Sequence, residues 1–229
     1  MKLSIIMPAL NEAEGIEAAL RALAPLQGRG AEIIVVDGGS SDGTPGLAGA
    51  LADRVITASR GRATQMNAGA EIATGDVFLF LHADTRLPEN ADNLIRDGIA
   101  RPGHVWGRFD VRIDGSGVLK LVGTMMNWRS RLTGIATGDQ AMFMTRKAFD
   151  AVGGFPPIAL MEDIAMSRAL KRISAPLCLH ASVLTSGRRW KTQGILTTVV
   201  LMWRLRLSYF FGADPAKLAR AYGYVPGDP

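Results

Sequence analysis

The chain has 229 residues, enough for one substantial α/β domain with a complete core and short for two. Apolar residues make up 48% and charged residues 21%, the balance of a folded globular protein. A net charge of +5 permits attraction to phosphates or an anionic membrane, but the cations concentrate late, at Arg188-Arg189-Trp190-Lys191, Arg204 and Arg206. No nucleic-acid-binding motif accompanies them, so a local anionic partner is expected and nucleic acid is not. The single cysteine, Cys178, excludes an internal disulfide. Between Leu177 and Leu179 it reads as a buried structural thiol in a reducing compartment. The amino terminus has one lysine and a short apolar run before Pro8, without the length of a signal peptide, and a cytoplasmic protein is expected.

Leu3-Ser4-Ile5-Ile6-Met7 reads as a buried strand ending in Pro8-Ala9-Leu10-Asn11-Glu12. Residues 14–23 have helical spacing, with Asn11 as the expected cap and Pro25 as the stop. Glu32-Ile33-Ile34-Val35-Val36 is a second buried strand, opening into the acidic, glycine-rich turn Asp37-Gly38-Gly39-Ser40-Ser41-Asp42-Gly43-Thr44. A short helix from about Pro45, an edge strand at residues 54–57 and a helix over 63–73 follow. Val77-Phe78-Leu79-Phe80-Leu81 is a third buried strand, running into His82-Ala83-Asp84. Alternating strands and helices predict a Rossmann-like winding. In such sheets ligands sit beyond the carboxyl ends of the strands, where these three acidic or amide-rich loops would meet.

The second half is less regular. Residues 106–113 alternate as a half-exposed strand, residues 118–132 as a helix, and residues 141–144 form a buried strand. A helix over 147–152 precedes the turn Gly153-Gly154, a helix over 161–172 starts in acid and ends in base, and residues 193–211 form one longer apolar helix.

The residues at the strand ends suit nucleotide chemistry. Asp37 ends a central strand, where its carboxylate can accept hydrogen bonds from a base or ribose, whereas Asp42 before Gly43-Thr44 serves equally as a turn or cap residue. Arg60 and Arg62, with Gln65 and Asn67, enter a helix just before the Asp84 strand, and an arginine fork matches phosphate oxygens.

Pro8-Ala9-Leu10-Asn11-Glu12, the Asp37–Thr44 loop, His82-Ala83-Asp84 and Glu162-Asp163 resemble, in order, the motifs of family 2 glycosyltransferases, which have the GT-A fold and invert the transferred sugar. The resemblance implies an α/β fold with a mostly parallel central sheet flanked by helices, an irregular acceptor-side second half and a C-terminal apolar helix. It implies one domain over residues 1–229: a nucleotide-binding half at 1–100, a donor and acceptor half at 101–190 and a helical segment at 191–229. The implied donor is a nucleotide-diphosphate sugar, with UDP as the expected carrier. Pro8, Ala9, Asn11, Glu12, Asp37, Gly39, Ser41, Arg62, Gln65, Asn67 and Ala83 would bind its nucleotide. Asp84 corresponds to the carboxylate that binds Mg²⁺ or Mn²⁺ at the diphosphate. His82 departs from the family's first aspartate and stands as a ligand, a ribose contact or a packed histidine. Asp163, beside Glu162, corresponds to the catalytic base. Asp139 and Gln140 would meet the donor sugar or acceptor, Arg188 and Arg189 the diphosphate, and Trp190 the acceptor. Ser186 stands where processive members carry a glutamine, which argues against processive synthesis. Thr137-Gly138-Asp139-Gln140, Met161-Glu162-Asp163 and Ser186-Gly187-Arg188-Arg189-Trp190 resemble a small bacterial subgroup named for arsenosugar or selenium metabolism, a label that rests on gene context.

The acceptor, a small molecule or a lipid-linked one, is not specified by the motifs. The helix over 193–211 reads as a core or dimer helix, or as a peripheral contact with the inner membrane face through Trp203, Tyr209, Phe210 and Phe211. Rival readings are a sugar-phosphate nucleotidyltransferase, whose glycine-rich first loop is absent here, and a non-catalytic nucleotide-sugar sensor or membrane adaptor. A dinucleotide dehydrogenase lacks its Gly-x-Gly-x-x-Gly after the first strand.

Overall fold

A computed structural model describes residues 1–115 and 117–224. Four parallel strands lie in the order β3-β2-β1-β4: β1 (Leu3–Ala9), β2 (Glu32–Asp37), β3 (Arg54–Thr57) and β4 (Val77–Phe80). Their continuous apolar runs alternate between two layers, as the two-residue period of a strand requires. Ile5, Met7, Ile33, Val35 and Leu79 join the core under α1 (Ile16–Gly28) and α2 (Thr44–Gly49). Ile6, Ile34, Val36, Phe78 and Phe80 join the core under α3 (Arg62–Ile72).

Beyond β4 the sheet turns mixed. β7 (Phe143–Thr145) runs antiparallel to β4 and to β6 (Trp106–Ile113), while β8 (Leu177–Thr185) is parallel to β6 and antiparallel to the edge pair β5 (Thr85–Arg86). Four of the seven pairings are parallel, so the expected mostly parallel α/β sheet stands. α4 (Ala91–Ile99), α5 (Gly117–Thr133), α6 (Arg146–Ala151) and α7 (Glu162–Leu170) flank it.

Several boundaries differ from expectation for physical reasons. α1 continues through Pro25 to Gly28, because Leu23 and Leu26 are both buried and their burial outweighs the one backbone hydrogen bond the proline removes. Its cap is Gly15. Asn11 instead sits at φ 52° and clamps the neighbouring loop, its N–H donating to Ser40 Oγ and its Oδ1 accepting from Ser41 N. β6 is almost wholly buried rather than half-exposed, since α5 covers it and the Asn127 amide bonds both the N–H and the carbonyl of Val111. Cys178 is only part-buried on β8.

The expected helix over 193–211 is α9 (Ile195–Phe210), preceded by a short helix α8 (Arg188–Gln193) from which Gly194, at φ 82°, separates it. On α9 only Thr198 and Leu205 are buried, and Leu205 joins a small core with Leu160, Met161, Ile164 and Leu218. α10 (Pro215–Tyr222) follows, and residues 225–229 of the expected C-terminal segment lie outside the described residues. Among the described residues no helix is long and apolar enough to cross a membrane.

Candidate functional site

A cavity of about 650 Å³ opens beyond the carboxyl ends of β1 and β4. Pro8, Ala9 and Glu12 from the β1 loop, Arg62 and Gln65 from α3, and His82, Ala83 and Asp84 after β4 line one side. Asp139, Arg188, Arg189 and Trp190 join them, all brought together as the sequence motifs predicted. Glu12 spans the cleft to Arg188, Oε2 lying 3.5 Å from Nη2. Burial, opposed by the Arg188 cation and aided by the nearby Asp84 carboxylate, raises the Glu12 carboxyl above its ordinary value. Arg189 is held by α10, its Nη2 donating to Tyr222 O at 2.8 Å and its guanidinium stacking 3.5 Å over the Tyr222 ring.

A smaller cavity adjoins the first and shares Arg62, His82, Asp139, Met202, Arg206 and Tyr222 with it. Glu162 and Asp163 line this smaller space, at the first turn of α7. Met161 before them holds φ 71° and Ala141 nearby φ 46°, left-handed conformations that a side chain pays for in strain. Asp163 Oδ2 accepts from Gly138 N at 3.0 Å and Oδ1 from Ile164 N at 2.7 Å, which fixes the carboxylate against the 137–140 turn. Glu162 is only 5% exposed, and burial, with the Asp163 charge beside it, pushes its carboxyl up to about 7.

His82 is set by the same turn. Its Nδ1 lies 3.4 Å from Asp139 Oδ1, and its ring packs so closely on Gly138 that a Cβ there would stand 2.5 Å from Nε2. Burial works against ionisation of Asp139, but the His82 hydrogen bond and charge, with Arg62 and Arg206, hold its carboxyl below the ordinary range. Among the described residues no trio of His, Cys, Asp and Glu converges as a cation cage. Asp84 faces the cleft with its Oδ1 accepting only from Thr85 Oγ1 at 3.2 Å. That fits a Mg²⁺-type ion, which takes one or two carboxylates and completes its shell with phosphate oxygens and water.

Several expected site residues, Gln65 of the lining among them, spend their side-chain hydrogen bonds on the loops and strand ends around the cavity. Asp37 is 2% exposed; its Oδ2 accepts from Gly39 N and Ser40 N at 2.9 Å, while Oδ1 is buried without a partner. Gly39 at φ 86° supplies the turn that aims those N–H groups. Gln65 ties the strand ends together, Nε2 donating to the carbonyls of Ala9 and Val36. Asn67 clamps Phe155 through both its N–H and its carbonyl, and Gln140 closes a capping box on Thr137. Ser41 serves the Asn11 clamp, and Asp42 binds the backbone N–H of Ala13 and of Thr44 as a loop residue. Sequence reasoning missed Arg129, Arg206 and Tyr222 in the lining. The four-residue step from Met125 to Arg129 and from Met202 to Arg206 puts each pair on one helix face, a signal legible only once the helices are known to face the cleft.

The α/β fold matches that of solved GT-A structures. TarS of S. aureus, residues 1–349, solved with UDP-GlcNAc, superposes with a TM-score of 0.67 at 18% identity over 81% of this chain and 58% of that one. The mannosyltransferase PcManGT of Pyrobaculum calidifontis, solved with GDP-Man and Mn²⁺, gives 0.66 at 20% identity over 97% and 69%. Glucosyl-3-phosphoglycerate synthase of Mycobacterium tuberculosis, solved with Mg²⁺ and UDP, gives 0.61 at 20% identity over 80% and 70%. The sequence model of glycosyl transferase family 2 matches residues 4–154, more than half of the chain, and the chain belongs to that family. PGL/p-HBAD biosynthesis glycosyltransferases of Mycobacterium bovis and Mycobacterium tuberculosis are 40% identical over 100 residues, 41% of this chain and 39% of theirs. The chain thus aligns with well under half the length of those relatives.

Proposed function

We propose that this protein transfers a sugar from a UDP-sugar to an acceptor nucleophile by a single inverting displacement. The observation that carries the donor assignment is the cavity beyond the carboxyl ends of β1 and β4, where Pro8, Ala9, Glu12, Arg62 and Asp84 meet Arg188 and Arg189. In open α/β sheets that is where ligands sit. UDP-bound and GDP-bound neighbours support a nucleoside-diphosphate donor, and the segments Thr137–Gln140, Met161–Asp163 and Ser186–Trp190 support membership of the arsenosugar- or selenium-named subgroup.

The diphosphate lies between Arg62 on α3 and Arg188 and Arg189 on α8, whose guanidinium forks match its oxygens. Asp84 would hold a divalent cation, which would supply charge neutralisation of the departing diphosphate. Asp163 accepts the proton of the acceptor as its oxygen attacks the anomeric carbon opposite the leaving group, and no covalent enzyme intermediate is needed. The Gly138 and Ile164 N–H groups keep that carboxylate aimed into the smaller cavity. His82 positions Asp139 for the donor sugar.

The test is Asp163→Asn assayed on a panel of UDP-hexoses. UDP affinity should be retained while turnover falls at least roughly a hundredfold. Retained turnover would remove Asp163 from the role of base. Release of pyrophosphate instead of UDP would favour a nucleotidyltransferase.

A further inference from the structure

Two exposed apolar stripes flank the cleft. On α5, Leu121, Met125, Trp128 and Leu132 recur at helical spacing and are each more than half exposed. On α9, Leu196, Trp203, Leu207 and Phe210 do the same. Both stripes reach the cavity, because Met125 and Trp203 belong both to them and to its lining. Exposed apolar surface beside a cavity of this kind marks an interaction site.

Charge selects the occupant. α5, α8 and α9 together carry eight cations, among them exposed Lys120, Lys191 and Arg204, and not one carboxylate. A two-fold contact with a second copy would set these cations against themselves. An anionic bilayer complements them, and helices with an apolar face and basic flanks lie in its interface without crossing it.

Inside the mouth the chemistry changes from apolar to anion-seeking. Val122 and Met126 of α5 and Val199 and Met202 of α9 line the cleft together with Arg129 and Arg206. Arg129 Nε and Nη2 are buried with no partner. Burial, together with the neighbouring Arg206 cation, lowers the Arg129 guanidinium to about 10, so a bound anion would relieve both costs.

We propose that α5 and α9 seat this protein on an anionic lipid surface, and that the Arg129–Arg206 end of the cleft receives the phosphate or carboxylate head of an acceptor lipid held in that surface. This rests on the reading of the cleft as a transferase site, and it names the acceptor class that reading leaves open.

The experiment has two arms, each paired with UDP calorimetry on the same preparation, which reports on the donor site alone. In the first, flotation uses phosphatidylcholine vesicles with and without phosphatidylglycerol. The wild type should float with the anionic vesicles only, and Leu121→Ser/Trp128→Ser/Leu207→Ser should lose roughly tenfold or more of its binding while keeping UDP affinity. No flotation, unchanged flotation of the variant, or a dimer that the variant dissolves would overturn the docking. In the second arm, dodecyl phosphate below its micelle concentration is compared with inorganic phosphate. Dodecyl phosphate should bind at least roughly tenfold tighter, and Arg129→Gln should weaken it by roughly tenfold. Equal affinity for the two phosphates would mean a water-soluble anionic acceptor and overturn the lipid assignment. UDP binding lost in every preparation while flotation persists would condemn the donor reading instead.

Discussion

Glu162→Gln tests the electrostatics of the α7 start directly. The Glu162 side chain is buried and its carboxyl is raised from 4.5 to about 7, first by burial and then by Asp163. Unfolded, the same group loses its proton near the ordinary value. Between those two values the folded chain holds a proton that the unfolded chain has released, so stability falls as pH rises through that window. Such a displacement corresponds to about 3 kcal/mol, fully absent at pH 4 and fully expressed above about pH 8. Urea unfolding between pH 4 and 8 should therefore show this loss in the wild type. Glu162→Gln, which cannot ionise, should lack it and be the more stable of the two at pH 8, by an amount of that order. Asp163→Asn should recover part of the same difference, because it removes the second cause of the shift. An identical pH dependence in wild type and Glu162→Gln would refute the assignment of a raised, buried carboxyl.

Three further outcomes are expected. Asp37→Ala should weaken UDP binding roughly tenfold or more by calorimetry, since it releases the Gly39 and Ser40 N–H groups that its Oδ2 holds after β2; unchanged affinity would separate this turn from the nucleotide. Gly138→Ala places a Cβ 2.5 Å from the His82 ring, so it should shift the His82 imidazole resonances and lower turnover; an unperturbed imidazole spectrum would show that the turn has room. Arg188→Ala should weaken UDP binding with a steeper loss at low ionic strength, and an effect independent of salt would argue against a diphosphate contact.

The parallel half of the fold was legible because β1, β2 and β4 are continuous apolar runs ending in polar loops, a pattern local sequence can show. β8 was not. A register shift against β6 between Phe109 and Asp110 leaves residues 180 and 181 outside the pairing, which breaks the alternation that marks a strand. α4 escaped because its buried face is Ala91, Asp92, Ile95 and Gly98, where the Arg29–Asp92 ion pair at 2.8 Å replaces an apolar contact. α10 carries Asp214 as its cap and Pro215 at its start, signals that were present in the sequence and went unread. Around the cavity, the carboxylates Glu12 and Asp84 could be singled out because they follow the strand ends of β1 and β4. Asn11, Gln65, Asn67 and Gln140 turned out to bind backbone around the cavity, a distinction only tertiary contacts reveal. Arg129 and the α5 stripe share that dependence, since their meaning comes from α9 lining the same cleft.

The central claim, a UDP-sugar site completed by a divalent cation at Asp84, is tested most directly by calorimetry of UDP with and without Mn²⁺ on wild type and Asp84→Ala. Tight binding that requires Mn²⁺ in the wild type and loses that requirement, together with roughly tenfold or more of the affinity, in Asp84→Ala is the predicted result. UDP binding equally strong in both proteins and indifferent to Mn²⁺ would contradict the metal assignment, and no UDP binding in either would contradict the donor.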